Sequence, residues 1–169
     1  MKQSDIIAPF VKSAQELFKT MLSCEDLQRG KVGFAEKKTN AEPELTGIVG
    51  LSGPDRGTIV ISFPHSTALA MVSAFMGMQV TEIDADVADA VSEMVNIISG
   101  GAKPNLPHTP EEPFELGLPT VVNGQDYMIQ APSDVKWLEI PFSSDMGAFS
   151  IRVTFESMKN LTAGTNTKK

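Results

Sequence analysis

Residues 84–101 read DADVADAVSEMVNIISGG, and two helical patterns are superimposed in this stretch. One pattern is apolar and recurs at offsets of four, three and four, the spacing of a buried helix face. Its members are Val87, Val91, Met94 and Ile98. The other pattern is polar and occupies the opposite face at spacings of three and four. Its members are Asp86, Asp89, Glu93, Asn96 and Gly100. The stretch therefore predicts a helix over about residues 84–100 with one buried and one polar face.

Two more helices are predicted upstream of this motif helix. Residues 65–76 carry Leu69, Val72 and Met76 at helical spacing, and Gly77 directly after them is typical of a helix C-cap. The opening segment has a longer apolar stripe at spacings of three and four. Its members are Ile6, Ile7, Phe10, Ala14, Leu17, Phe18, Met21 and Leu22.

Strands are predicted on both sides of the two central helices. Residues 33–39, 45–51 and 58–61 are predicted to form a three-stranded meander, with turn chemistry in 52–57. Three further strands are predicted downstream, at 116–122, 136–142 and 149–155, with turns at 123–124 and 143–147. Four prolines between 102 and 114 predict a long loop there. This order of elements favours an α+β fold with a largely antiparallel sheet of about six strands and packed helices.

Composition and charge bound the function. At 169 residues the chain has the length of one domain, predicted to span residues 1–158, with a flexible tail at 159–169. Asp and Glu number 21 against 14 Lys and Arg, a net charge of −7, which argues against nucleic acid or an anionic membrane as the main partner. Cys24 is the only cysteine and His65 and His108 the only histidines, so a Cys/His zinc site would lack ligands. With no apolar run near the N-terminus, we expect a cytoplasmic protein.

Asn96 is the residue of the motif helix that asks for an explanation. Asparagine in a helix interior costs about 0.6 kcal/mol relative to alanine, because its amide competes with the backbone for hydrogen bonds. An isolated Glu-x-x-Asn is compatible with an ordinary solvated helix face, so the spacing of Glu93 and Asn96 does not by itself identify a site.

The wider pattern Asp89-x-x-x-Glu93-x-x-Asn96-x-x-x-Gly100 resembles the motif of the CheC/CheX/FliY family of phosphatases, which act on the phosphorylated response regulator CheY of bacterial chemotaxis. Residues 51–63 and 116–124 resemble the strand segments that flank the motif in that family. CheC-type members carry two motifs and CheX-type members one. Here the opening helix has Glu16 followed three residues later by Lys19, which points to the CheX type.

The resemblance implies a mechanism and a set of partners. Asn96 would orient the attacking water and Glu93 would pair with the receiver's lysine, as catalytic residues. Asp89 and Gly100 would belong to the surface that binds the receiver. No cofactor of its own is expected, with Mg²⁺ supplied by the receiver, and CheX-like proteins are homodimers whose sheets meet across the subunit boundary.

Two alternatives stay open at this point. A domain of this fold could bind a receiver, or act as a flagellar-switch or signalling scaffold, without hydrolysing anything. A dimerising domain of unrelated purpose is the other. The presence of both Glu93 and Asn96 favours the phosphatase, because a scaffold has no need of the amide.

Overall fold

Three helices pack on one face of an antiparallel sheet in this computed structural model, which describes residues 2–35, 42–130 and 135–160. The helices are α1 Gln3–Met21, α2 His65–Met76 and α3 Ala85–Ala102, and short 3₁₀ helices follow at Lys103–Asn105 and Glu156–Asn160. The strands are β1 Gln28–Arg29, β2 Gly33–Phe34, β3 Glu44–Ser52, β4 Gly57–Pro64, β5 Glu115–Leu116, β6 Thr120–Gly124, β7 Leu138–Ser144 and β8 Gly147–Phe155. The predicted α+β class and the antiparallel sheet are confirmed.

The four long strands form the centre of the sheet in the order β7-β8-β4-β3. At one edge β1 and β2 both pair with β7, and at the other edge β5 and β6 both pair with β3. The sequence predicts six strands and the described residues form eight, because the two-residue β1 was not predicted and one predicted strand, 116–122, is divided into β5 and β6. Because β4 pairs with one side of β3 and β5 and β6 pair with the other, β3 is held by hydrogen bonds along both of its sides.

The core lies between the sheet and the helices. Apart from Thr46 and Thr154, which are buried on the reverse face, β3 and β8 alternate between buried residues that face the helices and less buried residues on the reverse face. The fully buried residues on the helix side include Leu45, Val49, Ile59, Ile61, Phe63, Ile140, Ile151 and Val153. Phe149 stacks between Phe18 of α1 and Phe142 of β7, with ring centroids 5.5 and 4.9 Å away. This aromatic stack fixes α1 against the β7–β8 end of the sheet.

The predicted meander is wrong in its first strand, 33–39. Gly33 and Phe34 pair with Glu139 and Leu138 of β7, at the far edge from β3, and residues 36–41 lie outside the described residues. The side of β3 that a meander would use pairs with β6 instead.

The strand predicted at 116–122 is divided into β5 and β6. Pro119 has no N–H to donate to a ladder, and the Gly117 N–H donates to the Gly50 carbonyl at 2.9 Å. Asn123 and Gly124, predicted as a turn, are the last residues of β6 and pair with Leu45 and Glu44.

The helix predictions hold with three corrections, the first of which is that Met21, a member of the predicted stripe of α1, is 43% exposed. α2 ends at Met76 with Gly77 in the left-handed conformation (φ 66°), as predicted, but Met76 is 45% exposed and the buried face runs through Thr67, Ala68, Met71 and Val72. α3 continues through Gly100 to Ala102, because Lys103 keeps helical dihedrals and its N–H donates to the Ser99 carbonyl. The predicted loop at 102–114 is a 3₁₀ turn followed by irregular chain. Of the predicted tail, 161–169 lies outside the described residues.

Candidate functional site: the polar face of helix α3

The start of α3 is fixed by its N-cap, and its rotation about its axis is set by its buried stripe. Asp84 is the N-cap, and its Oδ1 accepts a hydrogen bond from the Val87 N–H at 2.9 Å. Asp86 adds a negative charge in the first turn, where the helix dipole favours one. The predicted apolar stripe is confirmed: Val87, Val91, Met94 and Ile98 are all at most 1% exposed.

With that face buried, the predicted polar residues point outward. Asp89, Glu93 and Asn96 are exposed and Gly100 is half-buried, so the structure brings all four onto one surface of α3. Residues three or four apart on a helix have Cβ atoms about 5–6 Å apart. Within the described part of the chain, neither Glu93 nor Asn96 forms a side-chain hydrogen bond or an ion pair. Both side chains are available to a partner.

The two glycines near the end of α3 differ in their surroundings. A Cβ on Gly101 would stand 2.4 Å from the Ser13 hydroxyl of α1, so the absence of a side chain there lets the two helices approach. A Cβ on Gly100 would meet nothing within 4 Å. Glycine inside a helix costs about 1 kcal/mol relative to alanine, and packing among the described residues does not require it at position 100. The absence of a side chain at Gly100, one turn beyond Asn96, leaves the helix backbone accessible from outside the protein.

The surroundings of the motif are acidic. No lysine or arginine occurs between Arg56 and Lys103. The acidic side chains of this stretch are all exposed: Glu82, Asp84, Asp86, Asp89 and Glu93. The field on this side of the protein therefore attracts cations and repels anions.

Helix α1 does not provide a second motif. Glu16 and Lys19 are both exposed, and the Glu16 carbonyl accepts a hydrogen bond from the Thr20 hydroxyl at 2.7 Å. The lysine at the fourth position of this Glu-x-x-Lys has no acceptor with which to hold a water. In α1 and α3, only α3 presents the glutamate and asparagine pair.

The cysteine and the histidines have partners of their own. The buried Cys24 thiol donates a hydrogen bond to Asp26 Oδ1 at 2.6 Å. The pKa of the thiol is raised mainly by burial and, to a smaller extent, by this hydrogen bond. His65 Nε2 lies 2.7 Å from Asn123 Oδ1, and His108 Nδ1 lies 2.7 Å from the Leu106 carbonyl. Among residues 2–35, 42–130 and 135–160, no group of three or more His, Cys, Asp or Glu side chains could hold a metal ion.

A cavity of about 250 Å³ on the reverse face of the sheet contains none of the predicted site residues. Its polar lining includes Ser62, Tyr127 and Arg152, and Arg152 Nη2 donates to the Ser62 hydroxyl at 3.4 Å. Burial raises the pKa of the Tyr127 phenol, whose oxygen hydrogen-bonds to Thr46. The candidate site is thus an open helix surface, as suits a protein substrate, and not a pocket for a small molecule.

Sequence reasoning missed two residues that contact α3 behind this surface, Gly47 of β3 and Ser13 of α1. A Cβ on Gly47 would stand 2.5 Å from Val95 Cγ2, and the Ser13 hydroxyl donates to the Ile98 carbonyl at 2.7 Å. An isolated glycine in a strand pattern is a signal for the close approach of another element, and it could have identified Gly47. No comparable signal in the sequence marks Ser13.

In the part of the chain that the structure describes, no helix is both long and apolar enough to cross a membrane.

Comparison with known proteins gives a consistent result. The family model for chemotaxis phosphatase CheX matches residues 45–143. The CheY-P phosphatase CheX of Thermotoga maritima is 28% identical over 141 residues, which cover 82% of this chain and 86% of that protein. A crystal structure of a CheC-like superfamily protein from Shewanella sp. PV-4 is 34% identical, with a TM-score of 0.78 over 92% of this chain and 99% of the other. The CheX–CheY–BeF₃–Mg²⁺ complex of Borrelia burgdorferi aligns with 27% identity and a TM-score of 0.74, over 89% and 97% of the two chains.

Proposed function

The chain belongs to the family of the chemotaxis phosphatase CheX, and from this premise we propose that it hydrolyses the aspartyl phosphate of a phosphorylated CheY-like receiver domain. The observation that carries the proposal is the pair Glu93 and Asn96, whose side chains are exposed on one face of α3 and form no hydrogen bond or ion pair with a described residue. A relative crystallised with CheY, BeF₃ and Mg²⁺ supports a receiver as the partner.

The reaction asks little of the phosphatase beyond positioning. An aspartyl phosphate is a labile acyl phosphate, and hydrolysis needs a water in line with the phosphorus and the departing carboxylate oxygen. Orienting such a nucleophile can lower the activation free energy of hydrolysis by several kcal/mol. The phosphatase therefore needs no nucleophile of its own, and Cys24 has no part in the reaction.

Asn96 is the residue that orients the water. Its amide oxygen accepts a hydrogen bond from the water, and its NH₂ group can donate to a phosphoryl oxygen or a second acceptor. Because the amide is neutral, it does not repel the phosphoryl oxygens as a carboxylate would. Being three residues from Glu93, it faces the receiver at the same time.

Glu93 anchors the complex. Its carboxylate pairs with the receiver's active-site lysine, and a charge-assisted hydrogen bond of this kind fixes the register of the two proteins. The exposed position of Glu93 leaves it free to make that contact.

Asp89 and Gly100 flank the pair as partner-binding positions. Asp89 lies one turn before Glu93 and adds to the acidic surface. Gly100 lies one turn after Asn96, and its open surroundings allow the receiver to approach the helix backbone there. The phosphatase brings no cofactor, and the Mg²⁺ of the reaction belongs to the receiver substrate.

The active form is a homodimer in the cytoplasm. Among the described residues, β6 has a neighbouring strand on one side only, and an unpaired edge invites pairing with another chain. Leu118, two residues before β6, is 92% exposed. A second copy covering this edge should bury more than about 1,000 Å² in total. Sedimentation at micromolar concentration should give a dimer that Leu118→Asp weakens, and a monomeric parent protein would contradict the assignment.

The function is tested with several phosphorylated receivers from the same cell. The protein is incubated with each receiver, and released phosphate is followed against the receiver's spontaneous loss. We expect accelerated release from at least one CheY-like receiver. Binding of the phosphorylated receivers with no acceleration of release from any of them would identify a receiver-binding or flagellar-switch scaffold instead.

A further inference from the structure

A very close approach between α3 and the sheet lies directly beneath the motif. Val95, fully buried, packs onto Gly47 of β3 so tightly that a Cβ on Gly47 would stand 2.5 Å from Val95 Cγ2 and 2.9 Å from Cγ1. Ordinary van der Waals contact begins at 3.4 Å, so one methyl group at Gly47 requires a displacement of about 0.9 Å. Val95 is the residue immediately before Asn96.

Neither side of this contact can give way locally. Gly47 pairs with Ile61 of β4 on one side and Val121 of β6 on the other, so β3 is fixed within the sheet. A valine in a helix has one strongly preferred rotamer, and rotation would keep a γ carbon near the strand. The outer face of α3, in contrast, carries the exposed motif residues. Relief of a clash at Gly47 therefore comes from outward movement of α3.

A second contact restrains the same helix from the side. The Ser13 hydroxyl, 8% exposed, donates to the Ile98 carbonyl at 2.7 Å, and Gly101 leaves the room for it. Asn96 thus lies between a contact to the sheet at Val95 and a contact to α1 at Ile98. These two restraints fix the height and the rotation of the turn that carries the amide.

We propose that Gly47 is a positioning residue for the phosphatase site, setting through Val95 the height at which α3 presents Asn96 to the receiver. The inference rests on the proposed function and adds a residue remote from the motif in sequence. Misplacement of a catalytic group by about 1 Å can cost about 10² in rate. When α3 is displaced, Glu93 can still reach the receiver's lysine by rotation about its three side-chain torsions. Receiver binding is therefore less sensitive to the displacement than the chemical step is.

The test compares Gly47→Ala with Gly50→Ala. Both glycines lie in β3 and both substitutions remove the same backbone freedom from the unfolded chain, but a Cβ at Gly50 meets nothing within 4 Å. With a phosphorylated receiver as substrate, Gly47→Ala should lower kcat at least tenfold and leave KM within about threefold. Gly50→Ala should retain the kcat of the parent protein.

Rescue separates positioning from a general loss of structure. Val95→Ala removes both γ carbons that the methyl group introduced by Gly47→Ala would strike. The double variant Gly47→Ala/Val95→Ala should therefore regain a kcat within about threefold of Val95→Ala alone. If Gly47→Ala does not fold, Val95→Ile presses on the same glycine from the helix side and should lower kcat in the same way.

The outcomes are distinguishable. A parent protein inactive on every receiver overturns the proposed function and this inference with it. Three results with an active parent overturn the inference alone. The first is a Gly47→Ala variant with the kcat of Gly50→Ala, and the second is a double variant as slow as Gly47→Ala. The third, if Gly47→Ala does not fold, is a Val95→Ile variant with full kcat.

Discussion

Gly100→Ala should make the protein more stable and a poorer phosphatase. The new methyl meets no atom of the described residues within 4 Å, so it introduces no clash with them. Replacing a helical glycine by alanine stabilises by about 0.5–1 kcal/mol, since the unfolded chain loses freedom. For a chain of this size the midpoint of thermal unfolding should rise by about 1–4 °C.

The same methyl should interfere with the receiver. It stands on the motif surface one turn beyond Asn96, where the receiver is proposed to approach the helix backbone. An extra methyl in a close-packed contact costs about 1–2 kcal/mol, which weakens receiver binding about 5- to 30-fold. Binding is measured with a receiver held in its phosphorylated form by BeF₃ and Mg²⁺, and kcat and KM are measured by phosphate release.

Gly101→Ala is the matched control, because its Cβ would meet the Ser13 hydroxyl at 2.4 Å. It should be less stable than Gly100→Ala, since part of the gain in helix propensity is lost to the displaced Ser13 hydrogen bond. If Gly100→Ala binds the receiver as tightly as the parent protein, Gly100 is not at the interface and its assignment as a partner-binding residue is wrong.

Three further predictions concern side chains in and outside the motif. Glu93→Ala should raise KM and also lower kcat, because the anchor that aligns the complex is lost; an unchanged KM would remove Glu93 from that role. Cys24→Ser and His65→Ala should keep the parent kcat in the same phosphate-release assay, and loss of activity in a folded variant would contradict the water-positioning mechanism. The raised pKa of the Cys24 thiol predicts a stabilisation that is complete below the usual thiol pKa of about 8.5 and is lost as the pH rises through the folded-state pKa. Above about pH 8.5 the free energy of unfolding of the parent should therefore fall more steeply than that of Cys24→Ser, and parallel pH curves would contradict it.

The helices were predictable because their signals are local. The 3.6-residue period of α3 and the glycine after α2 are read within a few residues, and burial follows from the period. The continuation of α3 beyond Gly100, through Gly101 to Ala102, was not predictable, because two glycines in sequence are also a helix terminator. Only the neighbouring Ser13 shows why one of them has a packing role.

Strand pairing was less predictable because it depends on distant residues. Nothing near Gly33 indicates that it pairs with Glu139, more than a hundred residues later. The surface of the motif could be predicted from residues on α3 alone, since one helix carries it. Its height above the sheet could not, because Gly47 meets Val95 only in the folded chain.

The central claim is that Asn96 carries the chemical step, and the most direct measurement is single-turnover phosphate release from a receiver by Asn96→Ala. Asn96 is exposed and forms no side-chain hydrogen bond or ion pair among the described residues, so the substitution should not destabilise the protein, and the gain in helix propensity should raise the free energy of unfolding by about 0.6 kcal/mol. Asn105→Ala, at an exposed asparagine outside the motif, is the control and should release phosphate at the parent rate. With the phosphatase in saturating excess over the phosphorylated receiver, phosphate release by Asn96→Ala should be slower than by the parent protein by about 10²-fold, while the variant still binds the BeF₃ form of the receiver. Parent-like release by a folded Asn96→Ala variant would contradict the account.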